Sequence, residues 1–239
     1  MEALAQEPKT PAPPPERVSK ADPRMVAALT AALKDTDKEV RETAMHALVQ
    51  MRDPAVFEPL LQALKDSSPD VREQAAFGLG QFRDRRAVQP LVATLKDENA
   101  SVREQSAFAL GQLRDPAAVD GLATAVRDTN ASVREQAVFA LSQIRDRRAV
   151  EPLISALKDA QPDVRQQAAF GLGQLRDRAA VEALIIAVRD TDKEVREQVV
   201  FALGQLRDPR AIDALTTALK DQNAEVRKQA AFALGQLAR

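Results

Sequence analysis

This chain has no cysteine, a single histidine, no excess of basic charge and no long apolar run, and each shortage removes a class of chemistry. Without Cys there is no disulfide, no thiolate nucleophile and no cysteine-bound zinc, although the compartment stays open because many extracytoplasmic proteins also lack it. The lone His46 has no imidazole partner for a metal site or a proton relay. Basic residues number 34 against 35 acidic ones, the net charge is -1 and the pI is 6.0, so the basic excess of a general nucleic-acid binder is missing. No apolar stretch approaches the roughly 18 residues of a membrane helix, and the start Met-Glu-Ala-Leu-Ala-Gln-Glu has neither the basic region nor the apolar core of a signal peptide. The chain is therefore expected to be soluble and cytoplasmic, with no membrane or nucleic-acid partner. Its glycines form neither Gly-x-Gly-x-x-Gly nor a Gly-Lys-Ser or Gly-Lys-Thr ending. No catalytic constellation, cofactor site or metal site is legible, and the chain is expected not to be an enzyme.

What is there is repetition. The pair Val-Arg returns every 31 residues, at Val40-Arg41, Val71-Arg72, Val102-Arg103, Val133-Arg134, Val164-Arg165, Val195-Arg196 and Val226-Arg227. A fixed period between about 20 and 50 residues marks stacked units, none of which buries its apolar face alone. In the unit around Ser101, the residues Val102, Ser106, Leu110 and Leu113 follow helical spacing with one apolar stripe, here termed helix B. After a turn at Arg114-Asp115-Pro116, Ala118, Val119, Leu122, Ala125 and Val126 form helix A of the following unit. Asp53, Asp84, Asp115, Asp146, Asp177 and Asp208 fall where helix A begins, and Pro54, Pro116 and Pro209 follow three of them as N1 prolines. Asp37, Ser68, Asn99, Asn130, Asp192 and Asn223 take the N-cap before helix B, where Gln161 is the weak member. Residues 21–239 are expected to form one all-α domain. Residues 1–20, with Pro11, Pro13, Pro14 and Pro15, are expected to be a flexible Pro-rich arm or linker, either a plain tail or a connection to another domain.

The order Leu-x-x-Ala-Leu-Lys-Asp, then Val-Arg, then Ala-Ala-Phe-Ala-Leu-Gly-Gln-Leu resembles HEAT repeats, in particular the short phycobilisome-lyase-like type also used for artificial α-helical repeat binders. The resemblance spans about Asp22 to Arg239. It implies a right-handed α-solenoid of about seven stacked two-helix repeats, with helix B lining the concave surface. It also implies a ladder of charged hydrogen bonds along the turns. Its members are Asp35, Asp66, Asp97, Asp128, Asp159, Asp190 and Asp221, each six residues before an Arg of the Val-Arg series. One departure stands out: this type usually ends helix B with Ile-Gly-Asp, whereas Arg83, Arg114, Arg145, Arg176 and Arg207 replace the glycine here, so a slightly different turn is expected.

A helical wheel directs Val71, Ala75, Leu79 and Phe82 to the core and Glu73, Gln74, Phe77 and Gln81 to the opposite side. Later units repeat that side. Phe108, Phe139, Phe170, Phe201 and Phe232 extend the aromatic column, Gln112, Gln143, Gln174, Gln205 and Gln236 run beside it, and Glu42, Glu73, Glu104, Glu135 and Glu197 give it an acidic edge. Two readings stay open: the rings are inter-repeat packing, or they line a groove in which Phe holds a peptide's side chains and Gln its backbone. In the first unit His46 replaces the Phe, as suits a terminal repeat. Gly80, Gly111, Gly173, Gly204 and Gly235, with Ser142 in the same column, point to close helix approach.

These residues support a non-enzymatic protein- or peptide-binding scaffold that works through the helix-B face. One alternative is an accessory subunit or regulatory domain of an enzyme, as in bilin lyases. The other is an engineered or self-associating scaffold, since the array stops at Leu237-Ala238-Arg239 directly after a helix B and leaves an uncapped C-terminal repeat for end-to-end association.

Overall fold

The computed structural model describes residues 21–237, so the arm expected over 1–20 lies outside the described residues. Within them the chain forms seven two-helix units and no strand. The B helices are α2 (Lys38–Met51), α4 (Pro69–Phe82), α6 (Ala100–Leu113), α8 (Ala131–Ile144), α10 (Pro162–Leu175), α12 (Lys193–Leu206) and α14 (Ala224–Leu237). The A helices are α1 (Pro23–Ala32), α3 (Phe57–Ala63), α5 (Val88–Thr94), α7 (Val119–Ala125), α9 (Val150–Ala156), α11 (Val181–Ala187) and α13 (Ile212–Ala218). From the second unit on, a short 3-10 turn leads into each A helix.

Local chemistry sets these boundaries. The Asp53 carboxylate accepts the Ala55 N–H at 2.8 Å and so caps the turn that opens with Pro54, and Asp115 does the same for Ala117 at 2.9 Å. Asn99 accepts the N–H groups of Ser101 and Val102 at the start of α6. Gln161 makes no side-chain cap. Ser68 departs from the expected capping as well, because its hydroxyl donates to Glu42 Oε1 at 2.9 Å instead. At the other end the expected change of turn geometry does not occur. Arg52, Arg83, Arg114, Arg145, Arg176 and Arg207 all adopt φ between 48° and 56°, the left-handed conformation a glycine would take there. Holding an L side chain in it costs roughly 1 kcal/mol per site.

The B helices from α2 to α12 each send a leucine (Leu48, Leu79, Leu110, Leu141, Leu172, Leu203), and the A helices from α3 to α13 each send one (Leu60, Leu91, Leu122, Leu153, Leu184, Leu215), into a core that excludes them fully from water. Successive B helices pack against one another along their length, while successive A helices barely touch. Closer spacing on one side of a stack bends it toward that side, which makes the B layer the inner layer.

Small residues at the B–B joints permit this approach. A Cβ on Gly111 would lie 3.1 Å from Ala140 Cα, and one on Gly80 would lie 3.0 Å from Ala109 Cα. Two joints reverse the sizes. Ser142 stands where other units have glycine, and the residue it faces is Gly171 rather than alanine; a Cβ there would come within 2.2 Å of Ser142 Oγ. Val49 and Gly78 make the same exchange, at 2.8 Å. Each joint thus holds a nearly constant volume divided differently between its two sides.

The charge ladder exists, with its rungs strung between units. Arg103 Nε and Nη2 donate to the Asp128 carboxylate at 2.7 and 2.8 Å, in the next unit, while Nη1 donates to the backbone carbonyl of Asp97, six residues back, at 2.8 Å. Arg41, Arg72, Arg134, Arg165 and Arg196 repeat this with Asp66, Asp97, Asp159, Asp190 and Asp221. The resulting two-pronged pairs tie each A–B turn to its successor. The guanidinium of Arg103 holds the Asp128 carboxyl below the usual range, and Arg196 does so for Asp221.

Candidate functional site

The face of the B helices away from the leucine core carries the residues singled out in the sequence, in parallel rows crossing the units. Val71, Ala75 and Leu79 are buried as the wheel requires, and Ala76 and Gly78 join them because neighbouring B helices cover that flank. Phe82, expected in the core, is half-buried and meets Phe57 edge-on at 6.0 Å. Glu73 and Gln74 are half-buried and Gln81 is exposed.

The phenylalanine row falls between the two readings. Phe77 is 41% and Phe232 57% exposed, whereas Phe108, Phe139, Phe170 and Phe201 are half-buried. None of them is among the side chains packed on the contiguous core. Neighbouring helices therefore shield one side of the inner rings without enclosing them.

The two glutamine rows differ. In the row of Gln74, three amides keep one atom buried without a hydrogen-bond partner: Gln74 Oε1, Gln105 Nε2 and Gln198 Nε2. A buried polar atom left unpaired costs on the order of 1–3 kcal/mol. In the row of Gln81, three members are engaged across the joint rather than standing ready for a peptide backbone. Gln143, Gln174 and Gln205 accept from the Nη2 groups of Arg114, Arg145 and Arg176 at 2.6, 3.1 and 2.6 Å. Residues in the left-handed turns thus brace the rim of the face, a role the sequence reading missed although it marked those arginines as unusual.

A second inter-unit ladder was also missed. Arg85 pairs with Asp115, Arg147 with Asp177 at 2.9 Å and Arg178 with Asp208 at 3.7 Å, across the B–A turns. Its signal lay in the Arg-Asp-Arg-Arg strings at 83–86 and 145–148. The side chain and backbone N–H of Arg210, bonded to Asp208, push that carboxyl down to about 2.

At the opposite edge the glutamates lack the close arginine partners of the ladders. Glu42 accepts only from Ser68, and Glu73, Glu104, Glu135 and Glu197 form no ion pair among the described residues. Burial, then the nearby carboxylates of Asp70 and Glu104, pushes the Glu73 carboxyl up; burial, then Asp163 and Glu104, does the same to Glu135. The helix-B face is thus polarised, acidic near the helix starts and arginine-lined at their ends.

Open grooves of about 690 Å³ beside Gly121 and about 630 Å³ beside Pro90 lie between A helices instead. They follow from the sparse contact within that layer. Among the described residues no cluster of His, Cys, Asp or Glu is placed to hold a metal ion, and no helix is long and apolar enough to cross a membrane.

Two-helix units that share one core and touch only their neighbours define an α-solenoid. The chain belongs to the HEAT repeat family: the family pattern described as HEAT repeats matches residues 57–142, 119–198 and 181–238, and the one described as the PBS lyase HEAT-like repeat matches 40–66. One similar solved structure is an engineered protein, 22% identical with a TM-score of 0.63, over 90% of this chain and 68% of that one. A second engineered protein is 21% identical with a TM-score of 0.57, over 89% and 96% of the two chains. The complex of CpcE and CpcF of phycocyanin lyase from Nostoc sp. PCC7120 is 22% identical with a TM-score of 0.57, over 99% of each chain. Identities this low establish a shared fold and leave activity open. No curated protein matches the sequence.

Proposed function

We propose that this array is a binding scaffold, without catalysis of its own, that takes a protein or peptide along its helix-B face. One contrast carries the reading. On that face, partly accessible positions repeat from unit to unit although the core does not enclose them: the Phe77 row is phenylalanine six times in succession. On the A helices, one accessible position reads Gln62, Ala93, Thr124, Ser155, Ile186 and Thr217. Partly exposed rings in a continuous row are a solubility liability that isolated surface apolar residues are not. A common demand on every unit accounts for keeping them.

The test is a paired capture experiment with a triple variant, Phe108→Ser, Phe139→Ser and Phe170→Ser, first shown by circular dichroism to stay helical, and with Ile186→Ser as the A-layer control. A partner held by the parent and the control but released by the triple variant supports the helix-B face. Equal retention by all three overturns it.

End-to-end association of two copies is a second reading, favoured by the ends of the first ladder. Among the described residues Arg227 hydrogen-bonds only the carbonyls of Asp221 and Gln222, and the Asp35 carboxylate accepts only the Asp37 N–H. A copy stacked in register would set Asp35 against Arg227. Light scattering over a wide concentration range decides it, since a monomer throughout removes this reading.

A further inference from the structure

The glutamate row and the phenylalanine row lie one helical turn apart on the same face, as Glu73 with Phe77, Glu104 with Phe108, Glu135 with Phe139 and Glu197 with Phe201. Gln166 interrupts the acidic row at Phe170, and Lys228 replaces it in the last unit, where it pairs with Glu225 at 2.7 Å. Three consecutive units, those of α4, α6 and α8, therefore carry the complete pair.

A carboxylate beside an aromatic face suits a cationic side chain, which gains an ion pair from one and the ring quadrupole from the other. The molecule already makes this arrangement elsewhere. Arg86 lies 4.3 Å over the Phe57 ring while its guanidinium reaches Glu58 at 3.1 Å. On the helix-B face the same combination lacks its cation. The arginines at the other rim do not fill the role, since Arg83 is ten residues beyond Glu73, roughly 15 Å along the helix and beyond a Debye length of about 8 Å.

Spacing then fixes the form of the ligand. Closely packed helices stand about 8–10 Å apart, and the glycine and alanine joints hold the B helices near that limit. Three residues of a polyproline II segment make one turn, cover about 9 Å and bring the side chain back to the same face.

We propose that α4, α6 and α8 bind a peptide segment in the polyproline II conformation with Lys or Arg at every third position, each cation seated between the glutamate and the phenylalanine of one unit. This rests on the helix-B face being the binding surface and names the chemistry of its partner. The repulsion that the Glu104 carboxylate adds at Glu73 and Glu135 is relieved when the cations arrive.

The test uses the full chain and fluorescent seven-residue peptides in anisotropy titrations at physiological salt. One peptide has Lys at positions 1, 4 and 7, a second has the same composition with the lysines adjacent, and a third has Gln in their place. The spaced peptide is expected to bind about tenfold tighter than either of the others. Glu104→Lys is expected to weaken it by at least about tenfold, and Glu104→Gln, which keeps the shape, by less. Glu151→Lys, the same charge change on an A helix, should leave it unchanged. Equal binding of spaced and adjacent lysines, or equal weakening by Glu104→Lys and Glu151→Lys, shows diffuse charge attraction and overturns the proposal. Tight binding of the Gln peptide that the phenylalanine triple variant abolishes overturns the cation assignment while leaving the helix-B face standing. Loss of neither peptide in the triple variant brings down both.

Discussion

The two layers of this solenoid answer to different constraints. In the B layer every helix from α4 to α12 is pressed between two others of its kind, so much of its surface is dictated by packing. The A helices touch the B layer beneath them and hardly one another, and Ile186 stands 74% exposed there with no neighbour to satisfy. Variation between units is therefore informative only where packing does not enforce sameness. Drift on the A surface shows what an unconstrained position does in this chain, and the uniform Phe row of the B face departs from it.

The largest expected effect lies in the shared core. Leu141→Ala should destabilise the chain by about 2–5 kcal/mol in urea melts, against about 0.5 kcal/mol or less for Ile186→Ser. Comparable losses would mean the A layer carries load that its contacts do not reveal. Next come the joints. Gly171→Ala drives a methyl group into Ser142 and should cost about 1–3 kcal/mol, and adding Ser142→Gly should recover most of it. A strictly additive double variant would remove the claim that volume is shared across the joint.

The edge where the layers meet comes third. Asp128→Asn leaves Arg103 without its two-pronged partner and should cost about 1–3 kcal/mol at neutral pH. Because the folded carboxyl titrates below its unfolded value near 3.9, its stabilisation is present above that value and fades as pH falls through the lowered one. The gap between parent and variant should accordingly close below about pH 4. Smallest is the inner face. The Glu135 carboxyl is pushed up in the fold, so its contribution is greatest below the unfolded glutamate value and is lost as pH rises through the raised one. Glu135→Gln should stabilise by no more than about 0.5 kcal/mol at neutral pH, with the gain gone below about pH 4. The opposite sign at Asp128 and Glu135 separates a carboxylate with its cation from one without.

The period, the two helices per unit, most caps and the rows of the B face were legible in the sequence because each depends on residues close in the chain. Rung partners were not. Asp97 lies six residues before Arg103 and Asp128 lies 25 after it, and spacing alone does not say that the first offers its carbonyl and the second its carboxylate. The partial burial of Phe139 depends on how near α6 and α10 approach, which small residues on other helices decide. The arginine turns were noticed as exceptions, yet the backbone met them by keeping the glycine conformation. The roles of Gly78 and Gly171 emerge only when Val49 and Ser142 are set opposite them.

Those two joints give the repeats an order. Excising 147–177 would leave the period intact yet bring Ser142 against Ala202, whereas excising 116–146 would bring Gly111 against Gly171 and leave a gap. Units that look interchangeable on paper are keyed to their predecessors, and the chain tolerates shortening only where lock and key happen to match.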